Sequence, residues 1–304
     1  MSDQPTHVLV LTARPGSGAV GDDAVAALTP ALPPAGPGRW LAPGDAWEQP
    51  LRLSASPAPS AALRASVANH LAGRPIDVNV VPAAGRRKAL LVADMESTII
   101  EQECIDELAD HIGKRAHIAA ITARAMRGEL DFEAALKERV GMLAGLDAGV
   151  LDDLYGTRVT LMPGAATLVT TMRAHGARCA LVSGGFTFFT ERIARRLGFD
   201  TQQANVLEIA GGRLAGTVRE PILGREAKLA ALQRLAAGYG IAMSDTMATG
   251  DGANDLAMIG AAGLGVAFRA KPVVAEAAAA AITHGDLTGL LYLQGYAREE
   301  FSAA

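Results

Sequence analysis

The sequence predicts an α/β fold: a parallel sheet covered by helices on both faces, interrupted after its first strand by an all-helical insertion and preceded by a small α+β unit. Three observations predict it. From Ala89 onward the short apolar runs Leu90–Asp94, Arg178–Ser183, Thr246–Asp251 and Leu264–Phe268 alternate with helical sequence, the rhythm of a doubly covered parallel sheet. Between the first of these runs and Met162 there is no clear strand, only helical patterns. Before Ala89 the order of elements is β-α-β-β-α-β, that of a ferredoxin-like unit.

The elements follow in order. His7–Ala13 is mostly apolar and reads as a strand, with a short helix near Asp22–Leu28. Eight of the fifteen prolines fall between Pro30 and Pro59, so long regular elements are excluded there and short edge strands are expected around Gly38–Ala42 and Pro50–Leu53. Ala61–Ala72 predicts a helix and Ile76–Val81 a strand, closing a domain over 1–84. Gly85-Arg86-Arg87-Lys88 reads as a linker to a second domain over 85–304. In it, Ile105–Ile112, His117–Arg127, Phe132–Leu143 and Ala148–Tyr155 form the helical insertion, at about 104–158. Leu207–Val218, with Gly211-Gly212 at its centre, reads as a hairpin.

Composition narrows the partners. Net charge is −4, with Lys and Arg scattered rather than striped, so no nucleic-acid footprint is expected and a small-molecule partner is. Two cysteines, Cys104 and Cys179, do not make a disulfide framework, and the six histidines show no zinc-type pairing. No run reaches about 18 apolar residues and the N-terminus lacks a basic flank, so a cytoplasmic protein without membrane contact is expected.

Several motifs carry chemistry. Gly16-Ser17-Gly18-Ala19-Val20-Gly21 matches a dinucleotide fingerprint, but no full crossover to a second parallel strand follows, so it reads as a glycine-rich turn. In Asp94-Met95-Glu96-Ser97-Thr98 two carboxylates two residues apart lie on one side of an extended chain. Gly250-Asp251-Gly252-Ala253-Asn254-Asp255 carries more polarity than a helix cap needs and suits a hard cation or a phosphate. Ser183-Gly184-Gly185 alone reads as a turn, and Lys228 alone as a solvated helix charge. Brought together at the carboxyl ends of three strands, these groups compose a phosphoryl-transfer site, with a cation and a lysine offsetting the acids.

These motifs, in this order, resemble the haloacid dehalogenase superfamily, and within it the phosphoserine phosphatases. Glu103, nine residues after Asp94, the segment Met126–Phe132 and Arg139 strengthen the resemblance, which runs from about Lys88 to Leu291. It implies a Rossmann-like core with a helical cap, preceded by an ACT-like domain, and Mg²⁺-dependent hydrolysis of phosphoserine, the last step of serine biosynthesis. It further implies that Asp94 is the nucleophile and that residue 96 is the general acid and base. By the same resemblance Ser183, Gly184, Lys228 and Asn254 hold phosphate, while Glu103, Met126, Phe132, Arg139 and Gly185 bind substrate. Mg²⁺ would be held by Asp94, the Glu96 backbone carbonyl and Asp251, with Asp255 in support. The N-terminal domain is expected to serve packing or dimerisation to a homodimer rather than effector binding.

One residue departs from the pattern, since the resemblance implies Asp where this chain has Glu96. The charge is kept, but the extra methylene moves the carboxylate by about 1.5 Å. A misplacement of that size costs up to about 100-fold in rate if nothing else adjusts. A related phosphomonoesterase or phosphotransferase with another small substrate, and a non-catalytic regulatory scaffold, are the alternative readings.

Overall fold

The computed structural model describes residues 4–28, 32, 34–53, 57–71 and 73–303, with backbone only at 57–61 and 126. Its N-terminal part is β1 (His7–Ala13), α1 (Asp22–Leu28), β2 (Arg39–Ala42), β3 (Ala46–Leu51), α2 (Pro57–His70) and β4 (Ile76–Pro82). The strands form an antiparallel sheet of order β2-β3-β1-β4. The alternation along β1 explains its unbroken apolar run. Leu9 and Leu11 pack with Leu28, Trp47 and Val67 on the helical side, while Val8 and Val10 join the main core of the molecule. Both faces of this small sheet are therefore buried.

The proline-rich region departs from expectation in one respect. β3 starts at Ala46 and lies between β1 and β2, so it is an interior strand rather than an edge. Pro50 is tolerated because β2 has already ended beside it, and the Pro50 carbonyl on that side accepts the Ala35 N–H at 3.0 Å. The helix expected from Ala61 begins at Pro57, where first-turn prolines forfeit no hydrogen bond; its expected end, Ala72, lies outside the described residues. In the Gly16–Gly21 turn the Gly16 N–H donates to both oxygens of Asp45, each at 2.9 Å, so that donor is already committed within the protein.

The second sheet is wholly parallel, of order β12-β11-β10-β5-β6-β7. Its strands are β5 (Leu90–Ala93), β6 (Arg178–Phe186), β7 (Thr201–Asn205), β10 (Thr246–Gly250), β11 (Leu264–Phe268) and β12 (Ala280–Ile282). Alternate residues again face opposite ways. Leu91, Cys179 and Leu181 pack towards α7 (Ala165–Ala174), α8 (Thr187–Leu197) and α12 (Gly289–Leu293). Leu90, Val92 and Ala180 pack towards α9 (Arg225–Tyr239) and α10 (Leu256–Ala261), with α11 (Pro272–Ala277) beyond.

Segment 85–88 is built into the junction rather than free. The Arg86 guanidinium donates to Glu48 at 2.7 Å and to the carbonyls of Tyr292 and Leu293 at 3.1 Å each. At the β4 edge of the small sheet, Asn79 exchanges two hydrogen bonds with the Ala281 backbone, at 2.8 and 2.9 Å. The Asp77 carboxylate accepts the N–H groups of Thr283, His284 and Gly285.

The insertion after β5 is α3 (Cys104–Asp110), α4 (Arg115–Met126), α5 (Phe132–Gly141) and α6 (Val150–Thr157). Its entering and leaving strands run side by side: the Glu101 N–H donates to Thr160 O at 3.1 Å and the Met162 N–H to Ile99 O at 2.9 Å. A hairpin, β8 (Leu207–Ala210) and β9 (Arg213–Val218), follows β7 and is stitched to the insertion's α5–α6 loop. Gly145 N donates to Leu214 O, Leu214 N to Leu146 O, and Ala148 N to Gly212 O, all within 2.9 Å.

Candidate active site

Parallel strands deliver their carboxyl ends to one rim, which is where open α/β sheets bind ligands. β5 ends in Asp94-Met95-Glu96, β6 carries Ser183-Gly184-Gly185 in its last turn of pleat, and β10 runs into Asp251. The Asp94 N–H continues the β-ladder by donating to Thr249 O at 3.0 Å, which fixes its register against β10. The chain then turns sharply. Met95 O accepts the N–H groups of Ile99 and Ile100, and Ser97 adopts φ +53°, a left-handed conformation unusual outside glycine. That turn points the Ser97 hydroxyl at Glu103, 2.6 Å away.

Lys228 reads as a solvated charge from helical periodicity, but it is fully buried beneath the rim. Its ammonium lies 2.8 Å from Asp94 Oδ1 and 2.6 Å from Asp255 Oδ1. Burial pushes the Asp94 carboxyl up to about 8, the Asp255 charge adds to the shift, and Lys228 opposes it. Burial works against the Lys228 charge, yet Asp255 and Asp94 outweigh it and hold the ammonium above the ordinary lysine range.

One oxygen each from Asp94, Asp251 and Asp255 lies within 4.8 Å of the other two. Lys271 donates to Asp251 Oδ2 at 2.8 Å, while Asp251 Oδ1 is buried without a partner. Of five such orphaned side-chain atoms among the described residues, four belong to Thr98, Thr249, Asp251 and Asn254, all at or just beneath this rim. A cluster of unsatisfied oxygens signals ligands of their own. Among the groups gathered here, Asp94, Glu96, Glu103, Asp251 and Asp255 face only Lys228, Lys271 and Arg139 as cations. Buried oxygens with an excess of negative charge fit a hard divalent cation.

The helical insertion covers the rim. A narrow cavity between them is lined by Asp94, Glu96, Glu103, Phe132, Arg139, Ser183, Gly184, Gly185 and Asn254, joined by Ile105, Leu136 and Phe186. Arg139 is 4% exposed rather than solvated. Its Nε donates to Ala135 O and its Nη1 to the Thr122 hydroxyl, both at 2.9 Å, and Thr122 in turn donates to Asp106 at 2.7 Å. No carboxylate pairs with it within 4.0 Å among the described residues, so a fixed guanidinium faces the cavity with an arm to spare. The same cavity is lined by Glu103, whose carboxyl is raised well above its ordinary value by burial, then by the charges of Glu96 and Asp251.

Glu96 is 7% exposed and accepts the Cys104 N–H at 2.9 Å; burial raises its carboxyl too. Phe132 covers Gly184 so closely that a Cβ there would come within 2.8 Å of its ring. The Met126 side chain lies outside the described residues. Every other residue expected in the site either lines this cavity or, like Lys228, Asp251 and Asp255, clusters with Asp94 beside it.

Sequence reasoning missed three supports. Lys271 directly follows the fourth strand of the rim, β11, by a short turn, a placement that could have flagged it. Thr122 fixes Arg139 from another helix. Asn205, at the end of β7, holds Gly184 O at 2.8 Å and accepts the Leu223 N–H at 2.7 Å, fixing the Ser-Gly-Gly backbone. Neither Thr122 nor Asn205 carries a local signal.

A buried aspartate paired with a lysine at the carboxyl ends of a parallel sheet, with two more aspartates after the neighbouring strand and a helical insertion after the first, defines a class of hydrolase. The haloacid dehalogenase-like hydrolase profile matches residues 91–260, and the chain belongs to that family. Among curated relatives it is 49% identical to the phosphoserine phosphatase of Streptomyces coelicolor over 244 residues, 80% of this chain and 59% of that protein. It is 47% identical to the phosphoserine phosphatase of Polaromonas over 209 residues, 67% of this chain and 89% of that one. The chain thus spans less than two thirds of the Streptomyces relative's length. A solved structure described as a phospho-aspartyl intermediate analogue of phosphoserine phosphatase superposes with a TM-score of 0.65 at 37% identity, covering 68% of this chain and 98% of that one.

Proposed function

We propose that this chain is a phosphoserine phosphatase that hydrolyses O-phospho-L-serine to serine and phosphate, the last step of serine biosynthesis. The observation that carries the proposal is the pairing, in one buried cavity, of a phosphoryl-transfer floor with two recognition groups of opposite charge preference. Asp94, with Lys228 held against it at 2.8 Å, makes the floor, while Glu103 and Arg139 line the same cavity, one suited to an ammonium and the other to a carboxylate.

In this reading Asp94 attacks phosphorus to form an aspartyl-phosphate, which divides one difficult hydrolysis into two easier steps. Glu96 protonates the departing serine oxygen and then takes a proton from the water that cleaves the intermediate, help worth about 10²–10⁴-fold. Ser183, the Gly184 backbone, Lys228 and Asn254 hold the phosphoryl oxygens, and Gly185 lets the substrate approach the strand. Mg²⁺, held by Asp94, the Glu96 carbonyl and Asp251 with Asp255 in support, would neutralise phosphoryl charge. Phe132 walls the apolar side and excludes water beneath the insertion, which acts as a cap.

The N-terminal unit, with its β-α-β-β-α-β order and 2-3-1-4 sheet, is read as an ACT-like domain that serves packing or homodimer formation. A cytoplasmic location belongs to the same reading, in keeping with two buried free thiols. No described helix is long and apolar enough to cross a membrane.

The test is Mg²⁺-dependent phosphate release from phosphoserine, measured beside phosphothreonine and sugar phosphates. Preference for phosphoserine is expected, and no release from any of them would overturn the proposal.

A further inference from the structure

We infer that Gly185 and Glu96 are a fitted pair: the side chain missing at 185 is the space that the longer carboxylate at 96 fills, so Gly185 acts as a positioning residue for proton transfer. The inference rests on the phosphatase reading for the role of Glu96.

The geometry is specific. A Cβ placed on Gly185 would lie 2.8 Å from Glu96 Oε2, 2.9 Å from Cδ and 3.0 Å from Oε1. All three atoms of the carboxylate meet that position at once, so the group lies flat against the strand rather than touching it with one swinging end. Nor is Glu96 free to move aside, being 7% exposed and held through Oε1 by the Cys104 N–H at 2.9 Å.

The strand cannot yield either. The Gly185 N–H is committed to the Ser183 hydroxyl at 3.0 Å, Asn205 grips the carbonyl before it at 2.8 Å, and Phe186 pairs with Asn205 across the sheet. Gly185 is not among the residues with positive φ, so its backbone does not demand glycine and space is the reason for it. The carboxylate at 96 is thus clamped between a core strand and the first residue of the first cap helix. An aspartate, shorter by about 1.5 Å, would withdraw from both walls.

The test is a cycle of four proteins: the unmodified chain, Gly185→Ala, Glu96→Asp and the double variant. For each, kcat and KM for phosphoserine and the thermal unfolding midpoint are measured. With Glu96 in place, Gly185→Ala is expected to lower kcat about 10- to 100-fold, with a smaller change in KM, because the proton donor is displaced. In the Glu96→Asp background the same change should cost less than about threefold, since the shorter side chain has already vacated the contact. Equal penalties in both backgrounds would overturn the pairing and leave Gly185 with substrate approach alone. If Gly185→Ala does not fold while the double variant does, the pairing stands; if neither folds, it falls. Should the unmodified chain release no phosphate from any ester, the functional reading fails, and the pairing is decided by whether the four unfolding midpoints are coupled or additive.

Discussion

Lys228 Nζ lies 2.8 Å from Asp94 Oδ1, and both side chains are almost wholly withdrawn from solvent, at 0% and 3% exposure. A second carboxylate, Asp255, takes the same ammonium at 2.6 Å. One buried ammonium thus bridges two buried carboxyl groups, and their arrangement depends on it.

Removing the central one exposes that dependence. Lys228→Met leaves Asp94 and Asp255 facing each other without a cation, which should cost about 3–5 kcal/mol of stability above pH 8 and abolish phosphate release. Urea unfolding near pH 9 and again near pH 6 checks it. The deficit should be larger at the higher pH, where the Asp94 carboxyl, held at about 8, has released its proton; an equal deficit at both would contradict the charge argument.

Asp94→Asn keeps the shape and removes the nucleophile. Turnover of phosphoserine should vanish while the protein remains folded by circular dichroism. Appreciable residual turnover would exclude Asp94 as the attacking group.

The raised carboxyl of Asp94 also sets a pH dependence. Its folded value of about 8 lies above the ordinary 3.8, so between those limits the folded protein keeps a proton that the unfolded chain has released. Without divalent cation, stability should therefore fall as pH rises from about 4 to about 8. Asp251, raised by burial, contributes in the same direction. Added Mg²⁺ competes with that proton, so its stabilising effect should grow across the same window. Unfolding midpoints in chelator and in Mg²⁺ from pH 5 to 9 test this, and parallel curves would refute it.

Arg139 already spends its Nε and Nη1 on Ala135 O and Thr122. Lysine cannot keep those anchors and also reach the ligand, so Arg139→Lys should raise KM for phosphoserine about tenfold or more. The change should be much smaller for phosphoethanolamine, which lacks the carboxylate. Equal effects on both esters would place Arg139 outside substrate recognition.

Asp77→Ala deprives the N–H groups of Thr283, His284 and Gly285 of their acceptor. A loss of about 2–4 kcal/mol is expected, read as a lower thermal midpoint. An unchanged midpoint would mean that the two sheets are held together elsewhere.

How much of this was legible in the sequence depended on where each residue sits. Asp94, Ser183 and Asp251 follow strong apolar strands, so strand pattern and polar turn together gave both their place and their rim. Lys228 and Arg139 lie within helices, where a 3.6-residue period says which side a residue faces but not whether that side meets water or a cavity; only the resemblance marked them. β7 reads Thr-Gln-Gln-Ala-Asn and β12 has three residues, too polar and too short for a strand signal. β3 reads as an edge because of its proline, although that proline lies beyond the reach of β2. Thr122 and Asn205 act across elements far apart in the chain, and no local pattern records such a partnership.

The stitching of the hairpin to the α5–α6 loop also determines how the insertion can move. The chain enters and leaves it beside Ile100 and Leu161, and the hairpin reaches it from a separate anchorage between Asn205 and Leu223. Two separated attachments define an axis. Swinging about the line between them distorts only the connecting segments, whereas sliding or twisting would shear backbone hydrogen bonds at one end or the other. On the function proposed above, Phe132 and Arg139 would then be carried along a single arc, as on a gate hung on two pins.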